Sequence, residues 1–252
     1  HGALSDNAAR LRRGGHYFTG MLSYRGEWYW GIDRLGHLEA RLDCDPIIQP
    51  RTEIDWPERG PEGPIDFYFS FRSPYSYLAI ARTRELMARY SVQLRVRPVL
   101  PMVMRGLEVP FAKRLYIVRD CAREARRLGI PFGRVADPLG VGVERCLAIY
   151  RMADGRGLGL AWMHNAATAI WSRGLDLATD RGLRRVVEET GLNWEEALRA
   201  MEDTAWRADA EASRSALLAS GLWGVPCYVW GDLKLWGQDR IPVLEAWLER
   251  FA

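Results

Sequence analysis

Apolar and polar positions along the chain follow two spacings, which predict strands and helices in alternation. Residues 65–69 form a short apolar run and residues 92–96 alternate, so both are predicted as strands. The segment 74–89 between them has the spacing of a helix. A largely helical stretch at about 101–220 follows, and then a hairpin and a last helix. The order β-α-β, helical insertion, β-β-α predicts one α/β domain over residues 65–252.

The chain also contains an internal repeat. Residues 30–34 and 236–240 both read W-G-x-D-R, and each is followed by L-E-A-x-L at the same offset. The first copy follows a hairpin-like stretch at 17–29, which predicts a partial β-β-α segment over residues 1–50. Residues 51–64, rich in Pro, Gly and charge, are the predicted linker. Because an isolated hairpin exposes strand edges, we expect it to dock on the main domain, to complete a homodimer, or to belong to an upstream half.

Composition narrows the classes of function. The 252 residues are 48% hydrophobic and 27% charged with a net charge of +3, which is typical of a globular protein and gives no argument for nucleic acid. The alternating charges of Arg123–Arg127 indicate a solvated helix face. The four histidines lack metal-ligand spacing, and no apolar run approaches the roughly 20 residues of a membrane span. Four cysteines without a C-x-x-C pair favour reduced thiols, so we expect a cytoplasmic protein.

The candidate chemistry begins at Ser73, directly after the first predicted strand. Ser is a favoured N-cap, and Pro74 occupies the position in the first helical turn that proline prefers. The N–H groups and the dipole of a helix N-terminus attract an anion, and a thiolate is such an anion. The alternative is that Ser73 is only an N-cap. With serines at 73 and 76, dithiol–disulfide exchange at this helix start is excluded.

Four segments in order carry a resemblance to a known family. They are Ser73-Pro-Tyr-Ser-Tyr-Leu-Ala, Lys113-x-x-Tyr-x-x-x-Asp, Gly224-Val-Pro, and the second W-G-x-D-R copy at 236–240. Together they resemble 2-hydroxychromene-2-carboxylate isomerases and kappa-class glutathione transferases, which have a DsbA-like thioredoxin fold. The resemblance implies a thioredoxin-like β-α-β … β-β-α domain with a large helical insertion, preceded by a fragment that echoes its C-terminal half.

The resemblance also implies roles for particular residues. Ser73 would be the catalytic residue that holds the sulfur of glutathione, or of another low-molecular-weight thiol, as thiolate. The residues that would bind glutathione are Lys113, Val225, Pro226, Gln238 and Asp239. Independently of the resemblance, Arg72, Tyr75, Tyr77, Tyr116 and Trp223 could line a pocket for a small aromatic or conjugated carbonyl substrate. The alternative is that the aromatic residues belong to the core.

Within the glutathione site the implied contacts differ. Pro226 would be cis, so that the backbone of Val225 pairs with the tripeptide. Gln238 would face the carboxylate and Asp239 the ammonium of the γ-glutamyl end, while Lys113 would face the glycyl carboxylate. As an alternative, Asp239 is simply the acidic first-turn residue of the last helix.

Three functions follow as hypotheses. The leading one is a glutathione-dependent cis–trans isomerase of the 2-hydroxychromene-2-carboxylate type. The second is a kappa-type transferase, from which a thioether product leaves. The third is a non-catalytic thioredoxin-fold binding protein, which the shortened loop at 100–111 favours because the Asn-x-Pro-Pro stretch of the family has no counterpart there.

Overall fold

The computed structural model describes residues 2–16, 19–46 and 56–252. Tyr17, at the start of the predicted hairpin, lies outside these ranges, as does most of the predicted linker's first half. The chain forms two compact units. The first contains residues 1–58 together with 109–119, and the second contains residues 59–108 and 120–252.

The helices and strands follow the predicted order. The first unit has helix α1 (Gly2–Arg13), strands β1 (Met21–Tyr24) and β2 (Glu27–Trp30), and helix α2 (Leu35–Leu42). The second unit begins with β3 (Ile65–Phe69), α3 (Pro74–Arg89) and β4 (Leu94–Pro98). It ends with β5 (Cys227–Trp230), β6 (Leu233–Trp236) and α10 (Ile241–Phe251).

The helical stretch at 101–220, all of it described, contains six α-helices. They are α4 (Phe111–Leu128), α5 (Val141–Asp154), α6 (Gly159–Trp171), α7 (Asp180–Glu189), α8 (Trp194–Glu202) and α9 (Trp206–Ala219). Helix α4 begins in the first unit and ends in the second. None of the helices that the structure describes is both long and apolar enough to cross a membrane.

The four-stranded sheet has the order β4-β3-β5-β6 and confirms the thioredoxin-like α/β class. Strand β3 pairs in parallel with β4 and antiparallel with β5, and β5 forms a hairpin with β6. Strand β4 lies two residues later than predicted, because its pairing with Ile65 begins at Leu94. The apolar run of β3 is explained by burial: Ile65, Phe67 and Phe69 on one face have no exposed surface, and Tyr68 on the other face is 2% exposed.

A hydrogen bond joins the sheet to helix α3, next to an aromatic pair within the sheet. The rings of Phe67 and Tyr228 stack with centroids 4.8 Å apart. The hydroxyls of Tyr228 and Thr83 lie 2.6 Å apart in the core. Burial raises the pKa of the Tyr228 phenol, so it stays neutral. The hydrogen bond between Thr83 and Tyr228 thus joins the middle of α3 to the sheet.

The sequence repeat is also a structural repeat. Strands β1 and β2 pair as Met21 with Trp30, and β5 and β6 pair as Cys227 with Trp236, at the same offset. The N–H of Gly31 donates to the oxygen of Gly20 at 3.0 Å, and the N–H of its counterpart Gly237 donates to the oxygen of Pro226 at the same distance. Gly20 therefore stands in the first copy where Pro226 stands in the second.

The hairpin of the first copy packs against the start of α4, within the first unit. The N–H of Trp30 donates to the hydroxyl of Tyr116 at 3.1 Å. The imidazole of His16 meets the Tyr116 ring edge-on, with centroids 4.9 Å apart. Within its own unit, the hairpin therefore docks on residues 109–119. A homodimer through the hairpin stays a prediction.

Candidate active site

Ser73 caps helix α3 as the sequence predicts. Its backbone is extended, and its Oγ accepts a hydrogen bond from the N–H of Ser76 at 3.2 Å. Pro74 follows in the first helical turn. The side chain of Ser73 is half-buried. A hydroxyl and the positive N-terminal end of a 16-residue helix therefore meet at one accessible corner.

The loop before β5 reaches the same corner. The Val225–Pro226 peptide bond is cis, as expected. The hydroxyl of Ser73 donates to the carbonyl oxygen of Val225 at 3.5 Å, which is the long limit of a hydrogen bond. The Val225 N–H donates to no acceptor among the residues that the structure describes. The fold thus places a hydroxyl beside a half-buried backbone edge suited to an extended peptide.

A short 3₁₀ turn, Gln238–Arg240, adjoins this loop and carries Asp239. The preceding residue, Gly237, has φ 113°, a conformation that favours glycine, and its N–H donates to the oxygen of Pro226. The Asp239 side chain is one-fifth exposed, with a carboxylate oxygen 4.0 Å from an Arg240 nitrogen. The turn and the cis-proline loop are therefore joined directly through the backbone.

Gln238 is more deeply buried than we expect of a side chain that binds a ligand. It is 1% exposed, and its Nε2 donates to Oε2 of Glu124 at 2.7 Å. Its Oε1 accepts from Arg82 at 3.4 Å. The side-chain amide is thus bonded to protein groups, and its role on the γ-glutamyl carboxylate stays a prediction.

Two of the predicted pocket residues also have partners within the second unit. The guanidinium of Arg72 binds both oxygens of Asp137 at 2.7 Å, in the bidentate geometry typical of arginine. The hydroxyl of Tyr75 donates to Oδ2 of Asp120 at 2.7 Å. Arg72 and Tyr75, which flank Ser73 in the sequence, are thus each held in place by a carboxylate.

Tyr77 and Trp223 have opposite environments. Tyr77 is buried, donates to the oxygen of Pro131 at 2.5 Å and stacks on Phe132, so it is a core residue. Burial raises the pKa of its phenol. Trp223 is 45% exposed, and its ring lies 4.8 Å from that of Trp236. Of the two, only Trp223 offers surface to a substrate.

Lys113 and Tyr116 belong to the first unit, whereas the other predicted site residues belong to the second. Lys113 is half-buried, and desolvation lowers the pKa of its ammonium. Tyr116 is buried and receives the hydrogen bond from Trp30. Their roles in binding glutathione or substrate stay predictions.

The cysteine that follows the cis-proline faces the interior. Cys227 has no exposed surface and donates to the oxygen of Gly224 at 3.1 Å. Burial raises the pKa of its thiol to about 12, so it is inert near neutral pH. Within the described ranges, no group of His, Cys, Asp and Glu side chains could hold a metal ion. The polar groups at the corner are therefore hydroxyl and backbone amide groups, and its cysteine faces away from it.

Sequence reasoning missed the buried residue Glu124. The charges at 123–127 indicated a solvated helix face, but Glu124 is only 2% exposed. Its spacing carried the signal, because Tyr116, Asp120 and Glu124 recur every four residues and so lie on one face of α4. All three are buried, so a polar stripe lies on an inward face.

Comparison with known proteins adds a family to this geometry. Residues 64–249 match the model of the DSBA-like thioredoxin domain. A 2-hydroxychromene-2-carboxylate isomerase of Sphingobium xenophagum is 28% identical over 192 residues, which cover 73% of this chain and 97% of the relative. Two further curated relatives, both from Pseudomonas, bear the same name. The resemblance stated from the sequence motifs is thereby confirmed.

Comparison with solved structures also finds a 2-hydroxychromene-2-carboxylate isomerase. A 2-hydroxychromene-2-carboxylate isomerase structure is 25% identical and has a TM-score of 0.63, covering 74% of this chain and 94% of its own. The cytosolic disulfide reductase DsbM of Pseudomonas aeruginosa, solved with GSH, has a TM-score of 0.58. It is 19% identical and covers 74% of this chain and 97% of its own, so it shows a shared fold.

Proposed function

Because this chain belongs to the DSBA-like thioredoxin domain family, we propose that it is a glutathione-dependent cis–trans isomerase of the 2-hydroxychromene-2-carboxylate type. Its curated relatives are named as this isomerase, which supports an enzyme with isomerase activity. The observation that carries the proposal is the Ser73 hydroxyl at the N-terminus of α3, next to the backbone of Val225.

The residues at this corner fit the thiol and the cysteinyl backbone of glutathione. The Val225 N–H, which has no acceptor among the described residues, would pair with the ligand's peptide group. The Asp239 carboxylate would face the ammonium of the γ-glutamyl end. When bound, glutathione would supply a nucleophilic sulfur for reversible addition to a conjugated carbonyl compound. A fold neighbour solved with GSH supports the choice of thiol.

Ser73 would keep this sulfur ionised. A hydroxyl donor and the N-terminal N–H groups of a helix both stabilise an anion, and both lower the pKa of a thiol that faces them. The bond from Ser73 to Val225 is long, so the hydroxyl gives up little when it turns towards a sulfur. The half-buried position limits competition from water.

Thiol–disulfide exchange, the chemistry named for the DsbM neighbour, has less support here. Ser73 and Ser76 occupy the start of α3, and Ser76 Oγ is buried, where it accepts from the N–H of Ser70 at 3.4 Å. The Cys227 thiol faces the core. An external thiol acting on a small aromatic or conjugated carbonyl substrate suits these groups better than a resident dithiol.

The test is to incubate the protein with glutathione and 2-hydroxychromene-2-carboxylate while following substrate absorbance and free thiol together. Conversion without loss of thiol is the expected result. Net consumption of thiol would instead indicate the kappa-type transferase. Isothermal titration calorimetry with glutathione provides a second readout, and no heat of binding at millimolar glutathione would overturn both enzymatic readings.

A further inference from the structure

Three hydrogen bonds hold the Gln238–Arg240 turn to three different parts of the second unit. The Gly237 N–H donates to Pro226 O at 3.0 Å, which ties the turn to the cis-proline loop. Nη1 of Arg82, on α3, donates to the backbone oxygen of Gln238 at 3.0 Å. Nε2 of Gln238 donates to Glu124, on α4, at 2.7 Å. The turn that carries Asp239 is therefore fixed with respect to both the loop and the helix that Ser73 begins.

Burying the hydrogen bond between Gln238 and Glu124 costs desolvation free energy. Gln238 and Glu124 are 1% and 2% exposed, and a buried carboxylate is unfavourable unless it is paired and hydrogen-bonded. Arg127 provides that pairing, with Nη2 2.9 Å from the Glu124 oxygen that also accepts from Gln238. Burial lowers the pKa of Arg82. Apolar side chains would fill such a space with less desolvation, so the polar network indicates a requirement for defined geometry.

The first copy of the repeat shows that the turn itself does not need this network. There the residue at the position of Gln238 is Ile32, whose side chain is 71% exposed. The turn Ile32–Arg34 is still 3₁₀ and still leads directly into a helix. An amide at this position is thus dispensable for folding the turn, and its presence in the second copy calls for another reason.

We propose that Glu124 and Arg82 are positioning residues which, through Gln238, hold Asp239 in register with the cis-proline loop for the ammonium end of a γ-glutamyl peptide. This inference rests on the proposed function. It assigns Gln238 to the interior network in place of a direct contact with the ligand. The two helices that carry Arg82 and Glu124 then set the distance between the sites for the sulfur and for the ammonium.

The decisive variant is Gln238→Ile, which gives the second copy the residue of the first. We expect glutathione Kd by calorimetry and glutathione KM both to rise about tenfold, with kcat at saturating glutathione within about twofold of wild type. Arg82→Met, which removes a separate bond to the same turn, is expected to act in the same direction. Glu124→Gln keeps an oxygen acceptor for the Gln238 amide and should stay within about threefold of the wild-type Kd.

Glu211→Gln is the matched control, because Glu211 accepts from Arg214 three residues away as Glu124 does from Arg127, but on the surface. It should leave Kd unchanged. Unchanged Kd and KM in a folded Gln238→Ile protein, or a fall in kcat alone, would overturn the inference while the proposed function stands. If Gln238→Ile does not fold, Arg82→Met decides by the same criterion. No glutathione binding by the wild type would overturn both proposals.

Discussion

The hydroxyl oxygen of Ser73 lies 3.5 Å from the carbonyl oxygen of Val225, although 152 positions separate the two residues in the chain. One belongs to the start of a helix, and the other to the loop that leads into the second half of the sheet. Neither group alone defines a site. In the proposed function, their proximity would supply a hydroxyl donor for the sulfur and a backbone edge for the peptide that carries it.

Ser73→Ala is expected to lower glutathione-dependent turnover by roughly one to three powers of ten, because it removes the donor to the sulfur. It also removes the N-cap and should lower the free energy of unfolding by about 1 kcal/mol. Steady-state kinetics and urea denaturation measure the two effects separately.

Thr179→Ala is the matched control for the cap. Thr179 caps α7, and its Oγ1 accepts from the N–H of Gly182 at 3.2 Å, the distance found at Ser73. This variant should lose a similar free energy of unfolding and keep full turnover. Equal turnover in both variants would show that Ser73 only caps the helix and has no catalytic role.

Tyr77→Phe tests the predicted place of Tyr77 in the substrate pocket. The variant leaves the Pro131 carbonyl without its buried donor, so we expect a loss of about 1 kcal/mol in stability and no change in substrate KM. Urea midpoints and initial rates report these. A raised KM without a loss of stability would instead indicate that Tyr77 contacts the substrate.

The thiols should differ sharply in reactivity. Cys44 is exposed, whereas Cys227 is buried and desolvation raises its thiol pKa to about 12, so Cys227 stays protonated at pH 8. We expect iodoacetamide to alkylate Cys44 in the native protein and all four cysteines only in denaturant. Intact-protein mass spectrometry counts the adducts. Rapid native labelling of Cys227 would contradict its inward placement.

Glu189 should make stability depend on pH. Hydrogen bonds from Arg173 and then Arg185 lower the pKa of its carboxyl from 4.5 to about 2. Because the folded pKa is depressed, the stabilisation is present above pH 4.5 and is lost as pH falls towards 2. Glu189→Gln should therefore be less stable than wild type at pH 7, by a modest amount at this partly exposed site, and the difference should vanish near pH 2. Urea midpoints at both pH values measure it, and a constant difference would contradict the assignment.

The sequence predicted most accurately what is determined locally. The Ser-Pro start and the helical spacing predicted α3 with the bounds Pro74–Arg89 that the structure has. The cis bond before Pro226 came only from the family resemblance, since a proline alone does not specify its isomer.

Features determined by tertiary contacts were not predicted. Tyr77 and Tyr75 are the same residue type on the same helix, but contacts with Pro131 and Phe132 place Tyr77 in the core while Tyr75 is half-buried. The burial of the Glu124 carboxylate depends on a hydrogen bond from Gln238, which is 114 positions away in the chain. Charge spacing along one helix carries no information about such a distant partner.

The two copies of the repeat have a consequence for the recognition of relatives. The letters W-G-x-D-R occur once with Pro226 and Gln238, and once with Gly20 and Ile32 at the same places. A database search on those letters alone would return both copies as equals. A search profile that also requires the upstream proline and the glutamine before the aspartate would separate them.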